Sequence, residues 1–225
     1  MSKMNYTVKL IKFNRPGTKI KPIGVVVHET ANPGATAQNH FDYWNTKNRG
    51  SSAHAVVDWD EVIQLIPYNE VSWHAGRTAN LSMIGVELCR PEDHDEAKFN
   101  AVWDNAVQLF GDIFIEQLGI STVTKDNLMS HAEVSDKWHE TDHTDPISYF
   151  AEYNKTVDDF RCAVQQRINE LTQPHPMSFV DAVNVLVAKG IINTPDYWVE
   201  NAVNGKSVNG EYTGFLIKRV AELIK

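Results

Sequence analysis

The stretch Ile23-Gly24-Val25-Val26-Val27-His28-Glu29-Thr30 decides how the chain is read. An isoleucine and three valines run into a histidine, and the turn formers Asn32, Pro33 and Gly34 follow. A short β-branched run without alternation fits a strand covered on both faces. His28 then sits where the strand emerges, held as rigidly as the sheet, which suits a metal ligand or a catalytic group. A strand-end histidine can equally cap backbone groups, so the choice turns on what gathers around it.

Working outward, residues 53–59 and 62–66 read as two strands of a hairpin, and residues 83–89 as a further strand that carries a charge, Glu87, among apolar neighbours. Phe41 and Trp44 suggest a short amphipathic helix over residues 35–48. Phe99, Val102, Ala106, Phe110, Ile113 and Phe114 recur at helical spacing over residues 95–118, with Gly119 to end the helix. Residues 130–146 read as a polar loop, and residues 146–171 as one more helix. Strands interleaved with helices predict an α/β fold, a central mixed β-sheet flanked by helices.

Pro174 and Pro176 break the last helix, so residues 173–177 are expected to link a catalytic domain, residues 1–172, to a small all-α C-terminal domain, residues 178–225. Composition sets further bounds. The 225 residues have 42% hydrophobic and 22% charged side chains, as ordinary globular domains do. A net charge of −8 argues against general nucleic-acid binding. That charge lies in residues 1–175, with 16 Lys and Arg against 24 Asp and Glu. No stretch approaches the roughly 20 apolar residues of a membrane span. Residues 1–22 contain no apolar run like a signal-peptide core. Cys89 and Cys162 read as reduced packing residues rather than a disulfide framework.

Three of the nine histidines, His131, His139 and His143, crowd with carboxylates into residues 131–146. Such groups are expensive to bury unpaired. A divalent metal removes that penalty, and imidazole with carboxylate suits zinc; a solvated polar loop is the competing reading. Pro146 biases Asp145 toward an extended conformation, in which His143 and Asp145 face the same way.

In chain order, Val25-Val26-Val27-His28-Glu29-Thr30, Ser52-Ala53-His54-Ala55-Val56-Val57-Asp58, Trp73-His74-Ala75-Gly76, Ile84-Gly85-Val86-Glu87-Leu88, Ser130-His131 and His143-Thr144-Asp145-Pro146 resemble the zinc-dependent N-acetylmuramoyl-L-alanine amidases of the phage-lysin and peptidoglycan-recognition type. The resemblance covers roughly residues 20–150. It implies zinc held by His28, His131 and Asp145, with His139 as rival third ligand because some relatives carry a cysteine there. Relatives often have lysine where this chain has His143. The resemblance further implies Glu87 as general base, although a buried glutamate can also be the ion-pair partner of Arg77 or Arg90. His143 would assist the oxyanion or the leaving amine, and His54, Trp73 and His74 would line the substrate cleft, with a satisfied core or loop position as the equal alternative for His54 and His74. The implied reaction is zinc-assisted hydrolysis of the amide joining N-acetylmuramic acid to L-alanine in bacterial peptidoglycan. The implied setting is a phage or prophage endolysin, kept in the host cytoplasm until it is released to the wall.

A silent recognition module typically lacks a ligand, and all three candidates are present here. A zinc peptidase of another type is disfavoured because there is no His-Glu-x-x-His helix. A domain as small as residues 178–225 is marginal alone. Wall binding is its expected role, and pairing with a second copy into a homodimer through the C-terminal helices, or structural buttressing of the catalytic domain, are the alternatives.

Overall fold

A computed structural model describes residues 4–173 and 177–223. The chain divides into two compact units, Met1–Thr172 and Gln173–Lys225.

The first unit is organised around a six-stranded mixed sheet with the order β1-β4-β3-β5-β2-β6. The strands are β1 (Tyr6–Val8), β2 (Gly24–Glu29), β3 (Ala55–Val57), β4 (Val62–Gln64), β5 (Met83–Leu88) and β6 (Leu128–Ser130). β2 runs parallel to both neighbours, β5 and β6, and β3 with β4 forms the expected antiparallel hairpin. The period of two decides which residue faces which layer. Val25, Val27, Ile84, Val86 and Leu88 enter the larger core, with Phe99, Phe110, Phe114, Phe150 and Phe160. Val26 faces the opposite layer, with Ala79, Met129 and Val134. His28 and Glu87 share the parity of Val26 and Gly85, so they emerge on that second face.

The larger core is covered by α3 (Glu96–Asp112), which continues as a π-helical turn over Ile113–Leu118, and by α6 (Val157–Thr172). Gly119 ends that helix with φ 67, the left-handed region glycine adopts without penalty. Each fully buried phenylalanine contributes about 1.5–3 kcal/mol through its burial, so this layer anchors the sheet. The other face carries α1 (Ala37–Thr46), α2 (Gly76–Ser82) and α4 (His131–Trp138).

Residues 131–138 are helical, not loop. Ser130 accepts from the Glu133 amide, and the Glu133 carboxylate accepts from the Ser130 amide at 2.8 Å, a capping box that starts α4 directly after β6. The single helix expected over residues 146–171 is two, α5 (Ile147–Glu152) and α6. Asn154 takes φ 53 between them, and Thr156 with Asp159 forms a second reciprocal cap. β1 and α2 are short elements without a clear pattern in the sequence. Cys162 is exposed, not a packing residue, whereas Cys89 is buried.

The second unit comprises α7 (Phe179–Ala188), α8 (Pro195–Asn201) and α9 (Gly210–Leu223), packed around Val183, Ile191, Ile192 and Trp198. Ser178 caps α7 as its residue type suggests. The linker prolines Pro174 and Pro176 lie outside the described residues. Among the described residues, no helix is long and apolar enough to cross a membrane.

Candidate metal centre

The carboxyl ends of β2, β5 and β6 open into a cleft of about 580 Å³, walled on one side by α1. The register pairs His28 with Glu87 across β2 and β5. β6 pairs Ser130 with Val27, so His131, the first residue of α4, comes to lie beside His28. Asp145 arrives from the connection between α4 and α5. Its carbonyl accepts from the Ala132 amide at 3.2 Å, which ties that connection to the first turn of α4.

Three side chains converge. His28 Nδ1 lies 3.0 Å from His131 Nδ1 and 3.2 Å from Asp145 Oδ2, and His131 Nδ1 lies 3.1 Å from Asp145 Oδ1. The two histidines are buried, and Asp145 is 15% exposed. Burial alone would raise the Asp145 carboxyl, but hydrogen bonds from His131 and His28 outweigh it and hold it far below the ordinary carboxylate range. Burial also lowers His28, which favours a neutral imidazole with a lone pair to offer.

These residues fit a divalent cation. Four-coordinate bonds of about 2.0–2.1 Å place ligand atoms about 3.3 Å apart, close to the separations seen. Two imidazoles and one carboxylate are a donor set that suits zinc. The surroundings add an unpartnered carboxyl group. Glu87 has a buried Oε2 with no hydrogen-bond partner, and burial, with Asp145 and Glu29 nearby, pushes its carboxyl up to about 8. Arg90 pairs with Glu29 and Glu152, not with Glu87, and no ion pair joins Glu87 to Arg77 among the described residues. The structural ion-pair reading of Glu87 therefore falls.

The other expected residues divide. His143 stacks on His131 with centroids 4.7 Å apart, and its Nδ1 lies 3.7 Å from Asp145. Trp73 lines the cleft. His74 lies against His28 on the cleft floor, with both ring nitrogens within hydrogen-bonding distance of protein atoms. His54 does not reach the cleft: it is fully buried, its Nε2 lies 2.7 Å from the Glu70 carbonyl, and its Nδ1 accepts from the Gly85 amide. It is a satisfied core histidine. His139 is exposed in the left-handed cap of α4 and stands outside the His28, His131 and Asp145 group.

Sequence reasoning passed over His40, which lines the cleft from α1 alongside Asn39 and Tyr43. The three-residue step from His40 to Tyr43 is the signal that could have placed both on one helical face. It also missed Arg161, which donates to the Leu128 carbonyl at 2.9 Å and pairs with Glu133, bracing β6 and α4 from α6.

Residues 18–148, more than half of the chain, match the family described as N-acetylmuramoyl-L-alanine amidase. The chain belongs to that family. It is 33% identical over 171 residues to the amidase CwlL of Bacillus licheniformis, a match covering 67% of this chain and 45% of that protein. It is 41% identical over 97 residues to the amidase XlyA of Bacillus subtilis, covering 40% and 33%. It thus spans less than half the length of these curated relatives. The catalytic domain of XlyA superposes with a TM-score of 0.59 at 29% identity, covering 72% of this chain and 99% of that one. AmiA of Staphylococcus aureus shares the fold at a TM-score of 0.68 and 23% identity, covering 78% and 89%. The amidase endolysin structures carry the same mixed sheet flanked by helices.

Proposed function

We propose that the chain is a zinc-dependent peptidoglycan hydrolase that cleaves the amide between N-acetylmuramic acid and the L-alanine of the stem peptide. The observation that carries this reading is the convergence of His28, His131 and Asp145 within 4.8 Å beside Glu87, in a chain of the amidase family. His28, His131 and Asp145 would hold the metal, which when bound supplies Lewis-acid polarisation and acidifies water.

The chain's own groups do the rest. Glu87, fixed opposite His28 by the sheet register, takes the proton of the attacking water and returns it to the leaving amide nitrogen. The C–O bond forms as the C–N bond breaks, leaving a lactyl carboxylate and a free L-alanine amine. His143 at the cleft edge donates a hydrogen bond to the developing oxyanion. Trp73 and the α1 face bearing Asn39, His40 and Tyr43 line the room for glycan and peptide. We assign residues 1–172 to catalysis, residues 173–177 to a linker and residues 178–225 to wall binding, in the manner of an endolysin acting on the host wall. CwlL and XlyA are themselves named as amidases of this specificity, which supports the choice of bond.

Mass spectrometry of digested peptidoglycan tests the reading. Free muramoyl lactyl groups with new L-alanine amines are expected. Cleavage only between amino acids would make the protein a peptidase, and no cleavage would make it a recognition module.

A further inference from the structure

A second cavity, of about 570 Å³, lies in the first unit on the other side of the sheet from the cleft. Tyr6 and Gln64 share the parity of Val62, which enters the larger core, so both face the layer of α3. His28 and Glu87 emerge on the opposite face. β4 also runs antiparallel to β3, which puts Gln64 at the end of the sheet away from the cleft. The far wall is the end of α3 and the π-helical turn after it, with Asp112 and Glu116, and Arg167 reaches in from α6. π-Helical turns are rare and gather at functional sites.

The lining is polar where a core wall would be apolar. Tyr68 is 8% exposed, and among the described residues its hydroxyl meets only that of Tyr6, at 3.4 Å. The Tyr6 hydroxyl in turn donates to Gln64 Oε1. Gln108, buried on α3 between Val107 and Leu109, accepts from the Met4 amide at 3.3 Å and donates to the Asp104 carbonyl at 3.4 Å. Contacts this long are weak, so two buried polar side chains stand under-satisfied beside open space. A molecule bearing hydroxyl and amide groups would complete them. Charge narrows the class. Asp112 and Glu116 face one cation, Arg167, held 3.7 Å from Asp112, and that balance disfavours phosphate or carboxylate ligands. Sugar hydroxyls donate to carboxylates and accept from amides, and the ring face packs on an aromatic such as Tyr6, which is 39% exposed. The amide side chains of Asn69 and Gln117, also in the lining, complement an acetamido group.

We propose that this cavity is a second binding site, for a neutral N-acetylated saccharide, through which the catalytic unit holds a glycan strand away from the bond it cuts. The role on the wall rests on the amidase reading above, whereas saccharide binding does not.

NMR titration of the full chain with the tetramer of N-acetylglucosamine tests this, with free lysine as the cationic control. Saturable amide shifts are expected around Tyr6, Gln64, Tyr68 and Gln117 with the saccharide and not with lysine. Tyr68→Phe, which removes only a hydroxyl, should weaken saccharide binding by about 2- to 10-fold, the scale of one hydrogen bond. Tyr6→Ala should weaken it similarly and serves if the Phe variant does not fold. Both variants should hydrolyse a soluble muropeptide at the wild-type rate and act more slowly on intact walls. Shifts confined to the catalytic cleft, shifts with lysine alone, no shifts, or unchanged affinity in both variants overturns the proposal. Saccharide binding around Tyr68 in a chain that cleaves no peptidoglycan overturns the amidase reading and supports this one.

Discussion

On the floor of the cleft, His28 and Glu87 face each other across two parallel strands whose register is set by buried valines and isoleucine. On the rim, His143 and Asp145 lie on the connection between two short helices, held by local hydrogen bonds. There the Ser135 hydroxyl donates to the His143 carbonyl at 2.8 Å, and Thr78 donates to Glu140 through both its amide and its hydroxyl. The floor is thus as stiff as the core beneath it, while the rim depends on a few polar contacts, some of them exposed. On the mechanism proposed above, the groups aligned with the reacting atoms would sit on the floor, and the group assisting charge at the edge would sit on the rim. Asp145 bridges the two, since its carboxylate reaches the buried histidines from a rim segment.

The largest expected effect is on the floor. Glu87→Gln should fold and keep its metal yet lose turnover by about 10³- to 10⁴-fold, measured on soluble muropeptides. Full activity in that variant would remove Glu87 from the mechanism. His143→Ala on the rim should lose about 10²- to 10³-fold, the scale of one oxyanion donor, with metal retained. A loss larger than that of Glu87→Gln would reverse the ranking of floor over rim. The smallest effect concerns the brace beneath the rim: Ser130→Ala removes the cap of α4 and should lower stability by about 1 kcal/mol in thermal unfolding. No change there would mean that Arg161, not the cap, holds α4 in place.

The same contrast explains what the sequence made legible. His28 and Glu87 could be found because β-branched runs expose any charge that interrupts them, and sheet parity then puts them on one face. The rim was harder. His131 appeared to open a loop, although Ser130 and Glu133 have the spacing of a capping box, because the histidines and carboxylates of residues 131–146 masked the helical start. Thr156 and Asp159 carried a similar signal for the break before α6, hidden by the apolar periodicity running through it. His54 stayed open between the cleft and the core because motif order says nothing of side-chain direction. It is Ser72, Gly85 and Glu70, distant in sequence, that satisfy its ring in the core.

The central claim is the ligand set, and metal content read alongside lysis tests it most directly. The purified chain should hold one zinc, and chelation should abolish wall lysis. Asp145→Ala should lose most of the metal while His139→Ala, altered at an exposed helix cap, keeps it. Zinc retained in Asp145→Ala and lost in His139→Ala, or lysis that persists once the metal is shown to be gone, would contradict the account.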